Sequence, residues 1–254
     1  MIPYGKQNIC IDDIKAVVDV LQSNSLTQGP MVPKFEDEIS KISGSKYTTA
    51  VNSATSALHI ACLALGLRPG EIVWTVPNTF VASANCALYC GAHVCFVDID
   101  PKTANISIDL LKQKLLSAKH SGTLPKILIP VHFSGEPCDM AAIKELSNEY
   151  DFKIIEDASH AIGAYHHGSP IGSCEYSDIT VFSFHPVKIV TTGEGGAALT
   201  NCSSLDQKLK LLRSHGITRD KNLMRYPTDD IWYYEQVDLG FNYRMTDIHA
   251  ALGL

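Results

Sequence analysis

Lys188 stands in the segment Phe182-Ser-Phe-His-Pro-Val-Lys188, directly after an apolar run and before the small-residue stretch Thr191-Thr-Gly-Glu-Gly-Gly196. A lysine desolvated in a pocket has a lowered pKa, and its neutral amine can attack an aldehyde to form a Schiff base. A lone lysine is more often a solvated surface charge. Asp157 closes the run Lys153-Ile-Ile-Glu156 within Glu156-Asp-Ala-Ser-His160. A buried carboxylate there can pair with a protonated ring nitrogen, or it can cap the turn that follows. Asn52-Ser-Ala-Thr-Ser56 lies between a strand-like and a helix-like run, where the hydroxyls of Thr55 and Ser56 and the first-turn amides suit a phosphate; the alternative is an ordinary Ser/Thr cap. Phe80, after Pro77-Asn-Thr, could stack on a flat ring or pack in the core. Ser183 could donate to the same phosphate and His160 could touch a ring hydroxyl, each being otherwise a polar residue at a strand end.

Two other chemistries find less support. No Walker pattern or G-x-G-x-x-G is present, and Gly193-Glu-Gly-Gly196 lacks both spacings, so these glycines are expected to serve close backbone packing. Cys86, Cys90, His93 and Cys95 are the set closest to a metal-ligand spacing. Cys86 and Cys90, four apart in a small-residue helix, would share one packed face as small hydrophobes. A structural role is expected for them, and no metal.

The elements that must position these residues follow from periodicity. Short, apolar, β-branched strands are predicted at Tyr47–Val51, Ile72–Val76, Val94–Asp98, Lys126–Val131, Lys153–Glu156, Asp178–Phe184 and Gly196–Thr200. Between them the pattern predicts helices at Ser53–Leu65, Phe80–Cys90, Ile108–Ala118, Asp139–Tyr150 and Leu205–Ser214. The fold class expected is α/β, a mostly parallel sheet of about seven strands with helices on both faces, preceded by an N-terminal arm. In such sheets a ligand lies beyond the carboxyl ends of the strands. Asn52–Ser56, Asn78–Phe80, Asp157–His160 and Ser183–Lys188 all fall there, so four polar clusters should meet in one crevice. Arg219–Tyr234 is the one stretch that looks flexible. Thr246 with Asp247 beside it signals a helix start, and because the chain stops inside that helix it is expected to be a piece of a longer one.

Composition bounds the partners. The chain has 254 residues, 45% hydrophobic and 19% charged, with a formal net charge of -6. That balance excludes the basic surface needed for nucleic acid and leaves room for a small anionic ligand. The N-terminus lacks a secretory pattern and no run is long enough to span a membrane, so a cytoplasmic protein with eight reduced cysteines is expected.

Taken in order, Leu26-Thr-Gln-Gly29, Asn52-Ser-Ala-Thr-Ser-Ala-Leu58, Glu156-Asp-Ala-Ser-His160, Ser183-Phe-His-Pro-Val-Lys188 and Gly240-Phe-Asn-Tyr-Arg244 resemble the sugar aminotransferases of the DegT/DnrJ/EryC1/StrS family. The resemblance implies the large domain of a fold-type I pyridoxal 5'-phosphate (PLP) dependent transferase over residues 1–254, with the family's small C-terminal domain absent. It also implies roles. Lys188 would form the Schiff base and Asp157 would pair with the pyridine nitrogen. Thr55, Ser56 and Ser183 would hold the phosphate, Phe80 would stack on the ring and His160 would lie near its hydroxyl. Asn242 would reach the phosphate of a neighbouring subunit, which makes a homodimer with shared active sites. Within the family, Trp74–Cys90 and Ser183–Gly196 are similar to the branch serving pseudaminic acid biosynthesis. That branch implies a UDP-4-keto-6-deoxy-N-acetylhexosamine aminated at C4, with L-glutamate as donor in a two-stage exchange. Four alternatives stand beside it: another nucleotide-sugar aminotransferase of the family; a sugar dehydratase of the same fold, against which Lys188 argues because that enzyme carries histidine there; a noncatalytic cofactor-binding remnant; and a generic Rossmann-type binding module.

Overall fold

The alternation of short apolar strands with amphipathic helices is realised in a computed structural model that describes residues 5–254; residues 1–4 of the N-terminal arm lie outside it. In chain order come α1 (Ile11–Leu21), α2 (Met31–Ser43), β1 (Tyr47–Val51), α3 (Ala54–Ala64), β2 (Ile72–Thr75), α4 (Ala82–Tyr89), β3 (His93–Phe96), α5 (Ile108–Ser121), β4 (Ile127–Leu128), α6 (Met140–Tyr150) and β5 (Lys153–Asp157). There follow a hairpin of β6 (Tyr165–His166) and β7 (Ser169–Pro170), then β8 (Ile179–Ser183), β9 (Gly196–Thr200), α7 (Ser203–Arg213), the pair β10 (Ile217–Thr218) and β11 (Glu235–Gln236), and α8 (Asp247–Gly253).

Seven strands form one sheet in the order β1-β9-β8-β5-β4-β2-β3. From β8 to β3 every pairing is parallel, whereas β9 runs antiparallel to both β1 and β8. The reversal has a geometric cause. A parallel neighbour needs a crossover, usually a helix, and the β8–β9 connection contains none. Residues 184–195 turn back instead, closed by Phe184 N–H donating to the Gly195 carbonyl and Thr192 N–H donating to the Phe184 carbonyl, each at 3.0 Å. Lys188 is carried on this turn.

Side chains alternate across the sheet with the period of two that strands impose. Val73, Ile127, Ile155, Val181 and Ala198 pack under α3, α4 and α7. Their neighbours Trp74, Leu128 and Ile154 pack under α5 and α6, while Phe182 and Ala197 meet α2 and α8 on that second face. Full burial of one such large side chain contributes roughly 1.5–3 kcal/mol. The expected architecture is thus present, with two differences in detail. The N-terminal arm contains two helices: α2 turns Val32, Phe35 and Ile39 inward, and buried Asp247 accepts the N–H groups of Gly29 and Met31 at 2.8 Å, satisfying donors at the start of α2. β4 is shorter than predicted, because Pro130 cannot donate to the ladder. Arg219–Tyr234 carries no regular element, and α8 opens at Asp247 with the Thr246 hydroxyl capping His249 N–H at 3.2 Å.

Gly196 pins the sheet to α3. A Cβ there would lie 2.4 Å from Ala54 N and 2.5 Å from Ser53 C, so only glycine lets the first residue of β9 press on the start of α3. Gly196→Ala is expected to lower stability by about 1–3 kcal/mol through overpacking, read as a reduced urea midpoint. An unchanged midpoint would show that the helix start yields freely.

Candidate functional site

Asp157 ends β5 and is 5% exposed. A buried carboxylate must be met by donors, and three are present. Ser83 in the first turn of α4 donates its hydroxyl to Oδ2 at 2.6 Å, and Ser159 donates its hydroxyl to Oδ1 at 2.6 Å and its N–H to the same oxygen at 3.2 Å. The main chain is fixed too: Asp157 N–H donates to the Pro130 carbonyl at 2.9 Å, and the Asp157 carbonyl accepts from His132 N–H at 3.1 Å. Among the described residues no lysine or arginine forms an ion pair with Asp157. Thr79, hydrogen-bonded to Ser83 at 2.7 Å, ties the loop that carries Phe80 to this carboxylate.

Lys188 reaches back from the β8–β9 turn and is hydrogen-bonded to His160 Nε2. Burial lowers the Lys188 pKa, with the charge of Asp157 opposing. Burial likewise lowers that of His160, reinforced by the charge of Lys188 and opposed by Asp157. Both shifts favour the neutral bases. Gly135, at φ 90°, lets a loop lie against His160, since a Cβ there would fall 2.6 Å from the His160 carbonyl oxygen.

The phosphate-type cluster forms the start of α3. Ser53 caps the helix, its hydroxyl accepting Ser56 N–H at 3.1 Å. The Ser56 hydroxyl donates to Asn52 Oδ1 at 2.7 Å and so must turn away from Asn52 to meet an anion. Thr55 is half-buried. Ser183 is buried and stands opposite Gly196, which touches the same helix start. The hydroxyls of Thr55 and Ser183 make no hydrogen bond among the described residues. Phe80 is 75% exposed, an open aromatic face beside the Ser83–Asp157 contact. Asn242 is exposed, with its carbonyl 3.5 Å from Asn52 Nδ2 of its own chain. Contiguous contacts thereby join the four polar clusters at the carboxyl ends of β1, β2, β5 and β8.

Sequence reasoning missed the second carboxylate. Glu156 faces away from Asp157 and accepts His132 Nε2 at 2.9 Å, Thr180 at 3.0 Å and the Ser177 hydroxyl. Cys138 N–H donates to His132 Nδ1 at 3.1 Å, which leaves the ring hydrogen on Nε2, pointed at Glu156. Ser83 and Ser159 were missed as well, because a hydroxyl is recognised as a carboxylate partner only once the chain is folded. As for the cysteines, Cys86 and Cys90 are buried, and Cys86 Sγ lies 3.8 Å from Cys62 Sγ of α3.

This arrangement can be compared with known proteins. The DegT/DnrJ/EryC1/StrS aminotransferase family matches residues 7–254. The chain is 42% identical over 254 residues to a UDP-4-amino-4,6-dideoxy-N-acetyl-beta-L-altrosamine transaminase of Campylobacter jejuni, covering 100% of this chain and 63% of that protein. It is 40% identical over 243 residues to an uncharacterized protein of Methanocaldococcus jannaschii, covering 96% of this chain and 61% of that one. The chain therefore spans about three fifths of the length of these curated relatives. Among solved structures it superimposes on Helicobacter pylori PseC, an aminotransferase involved in the biosynthesis of pseudoaminic acid, with a TM-score of 0.86 and 32% identity over 99% of this chain and 63% of that one. It also superimposes on the putative sugar aminotransferase Spr1654 of Streptococcus pneumoniae in its PMP form, with a TM-score of 0.88 and 30% identity over 100% of this chain and 66% of that one.

The Glu156 network predicts an acid limit. Burial alone would raise the Glu156 pKa, but the donors from His132, Ser177 and Thr180 reverse it and hold the group below its ordinary 4.5. Its stabilising contribution is then complete above pH 4.5 and is lost as pH falls through the depressed folded-state value. Glu156→Gln is expected to lower stability at pH 7 by about 2 kcal/mol, the scale of a hydrogen bond to a charged group, and to flatten the acid slope of the urea midpoint. Matching pH profiles for the two proteins would contradict this.

Proposed function

Because the chain belongs to the DegT/DnrJ/EryC1/StrS aminotransferase family, we propose that it is the PLP-binding large domain, residues 1–254, of a nucleotide-sugar aminotransferase that uses L-glutamate to aminate C4 of a UDP-4-keto-6-deoxy-N-acetylhexosamine in pseudaminic acid biosynthesis. One observation carries the reading: a buried carboxylate that, among the described residues, pairs with no lysine or arginine acts on a nearby lysine whose burial favours the neutral amine. The Campylobacter and Helicobacter relatives bear names of that pathway, and Lys188 stands where the related dehydratases carry histidine.

The residues present fit the cofactor. Asp157, oriented by Ser83 and Ser159, would hold the ring nitrogen in its protonated form. Thr55, Ser183 and the first-turn amides of α3 would bind the phosphate, with Ser56 joining them after release from Asn52. Phe80 would cover one face of the ring and His160 would sit near its hydroxyl. When bound, PLP supplies an electron sink for charge developing at the carbon that loses its proton. Lys188 Nζ would anchor the cofactor covalently and, once displaced by the donor amine, take and return that proton. His160, whose pKa burial lowers, can hold the lysine amine in place as a hydrogen-bond acceptor.

A homodimer is part of the proposal. Ile231 at 90%, Trp232 at 70% and Leu239 at 74% exposure are large apolar side chains that a second copy would cover. Asn242 would then complete the phosphate site of the partner. The absence, among the described residues, of any helix long and apolar enough to cross a membrane accords with a nucleotide-sugar substrate met in the cytoplasm.

Three experiments test the reading. The chain incubated with PLP should turn yellow, bleach on adding L-glutamate, and yield a pyridoxyl-labelled peptide at Lys188 after borohydride reduction; Lys188→Ala should give none of these. Colour that persists with every amino donor would favour a chain that holds the cofactor without turnover, and no colour would sink the assignment. Mass spectrometry of products from UDP- and dTDP-ketosugars decides the substrate, exclusive use of a dTDP sugar being incompatible with the pathway named. Ser83→Ala should weaken PLP binding about tenfold, the scale of one hydrogen bond to a charged group, whereas Ser83→Thr should retain it in equilibrium dialysis. Equal affinity in the alanine variant would remove Ser83 from the site.

A further inference from the structure

Away from the crevice, one donor atom each from Asp139, His166 and His167 lies within 4.8 Å of the other two. The three residues come from two elements. Asp139 is the N-cap of α6, with Oδ1 accepting Ala142 N–H at 3.1 Å, which fixes the carboxylate and leaves its second oxygen uncommitted. His166 ends β6, and His167 with Gly168 makes the two-residue turn to β7, both at positive φ, 48° and 85°. Successive residues of an extended strand point to opposite faces. The left-handed turn instead brings the two imidazoles together, their centroids 4.2 Å apart at 88°. His166 also meets the Tyr176 ring edge-on at 5.6 Å, and its Nε2 is enclosed with no hydrogen-bond partner among the described residues.

We propose that Asp139, His166 and His167 bind one zinc ion, which clips the β6–β7 hairpin to the start of α6. Two imidazoles and one carboxylate are the donors suited to a borderline transition metal, while magnesium and calcium want oxygen ligands. Three protein ligands and one water would complete a tetrahedral shell. Zinc bonds of about 2.0–2.2 Å separate tetrahedral donors by roughly 3.4 Å, so the atoms need to close by little more than 1 Å at most from the 4.8 Å limit. His167 is an exposed side chain free to make that adjustment, and Asp139, exposed as well, offers the oxygen that its cap bond leaves uncommitted. Nothing in this site depends on the cofactor assignment, so either can fail alone.

The test uses the 254-residue chain with Cys10→Ser and Cys202→Ser, because those two thiols are exposed and would compete for zinc. Calorimetry should find one zinc per chain, and zinc at about 100-fold above its dissociation constant should raise the thermal midpoint by about 5 °C or more, reversibly on adding EDTA and not with magnesium. His167→Gln and Asp139→Asn, the latter keeping a good cap, should each weaken zinc binding by about tenfold or more while leaving the metal-free midpoint near that of the parent. Cobalt substitution should give the visible bands of a tetrahedral site in the parent and not in either variant. No stoichiometric binding, or binding that both variants retain, overturns the proposal.

Discussion

A carboxylate enclosed by protein and, among the described residues, paired with no lysine or arginine is the constraint around which this molecule is arranged. Asp157 survives burial because hydroxyls and an amide meet both of its oxygens. Those neutral donors satisfy the carboxylate without cancelling its charge. The field it retains is felt by both Lys188 and His160, where it opposes burial without reversing it. The donors also dictate the chain path: Ser83 must come down from α4, so the loop bearing Thr79 and Phe80 has to cross the end of β5.

The neighbouring carboxylate shows how one strand can carry two buried charges. Strand alternation sends Glu156 and Asp157 to opposite faces, and each finds a separate set of donors. His132 serves both, with its ring on Glu156 and its backbone N–H on the Asp157 carbonyl. Disturbing the first contact therefore moves the backbone that aims the second. That coupling is a reason to expect Glu156 to matter for more than stability, although it touches nothing in the crevice.

Strand reversal places the lysine. Had β9 been parallel to β8, a helix would have followed Ser183 and the chain would have left the sheet edge. The tight return keeps residues 184–195 over the carboxyl end of β8, and the absence of a side chain at Gly196 lets the returning strand seat against α3. The amine, the helix start and the carboxylate are consequently brought together by main-chain geometry and by glycine at one position, with no long flexible segment between them.

The parts legible in the sequence are those fixed by local rules. Five of the seven sheet strands lay within the predicted apolar runs, Tyr47–Val51 and Gly196–Thr200 matching to the residue, while β3 and β5 each extend one residue beyond theirs, and the cap at Thr246 announced α8. The helix α1 was hidden because its stripe of Ile11, Ile14, Val18 and Leu21 is exposed here, so its apolar period does not mark a core face. The candidate site was legible in the placement of Lys188, Asp157 and Ser183 at or just after strand ends. It was illegible where the role depends on a contact between distant segments: Ser83 and Asp157 are 74 residues apart, and a serine in a small-residue helix looks like any other. The pair His166–His167 hid for a related reason. Adjacent residues in an extended strand diverge, and only the left-handed turn at His167 makes neighbours in sequence into neighbours in space. Spacing rules written for helices and metal fingers pass over such a pair, whereas a histidine placed just before glycine at a hairpin tip, where asparagine or glycine is the unstrained choice, is the signal that would have exposed it.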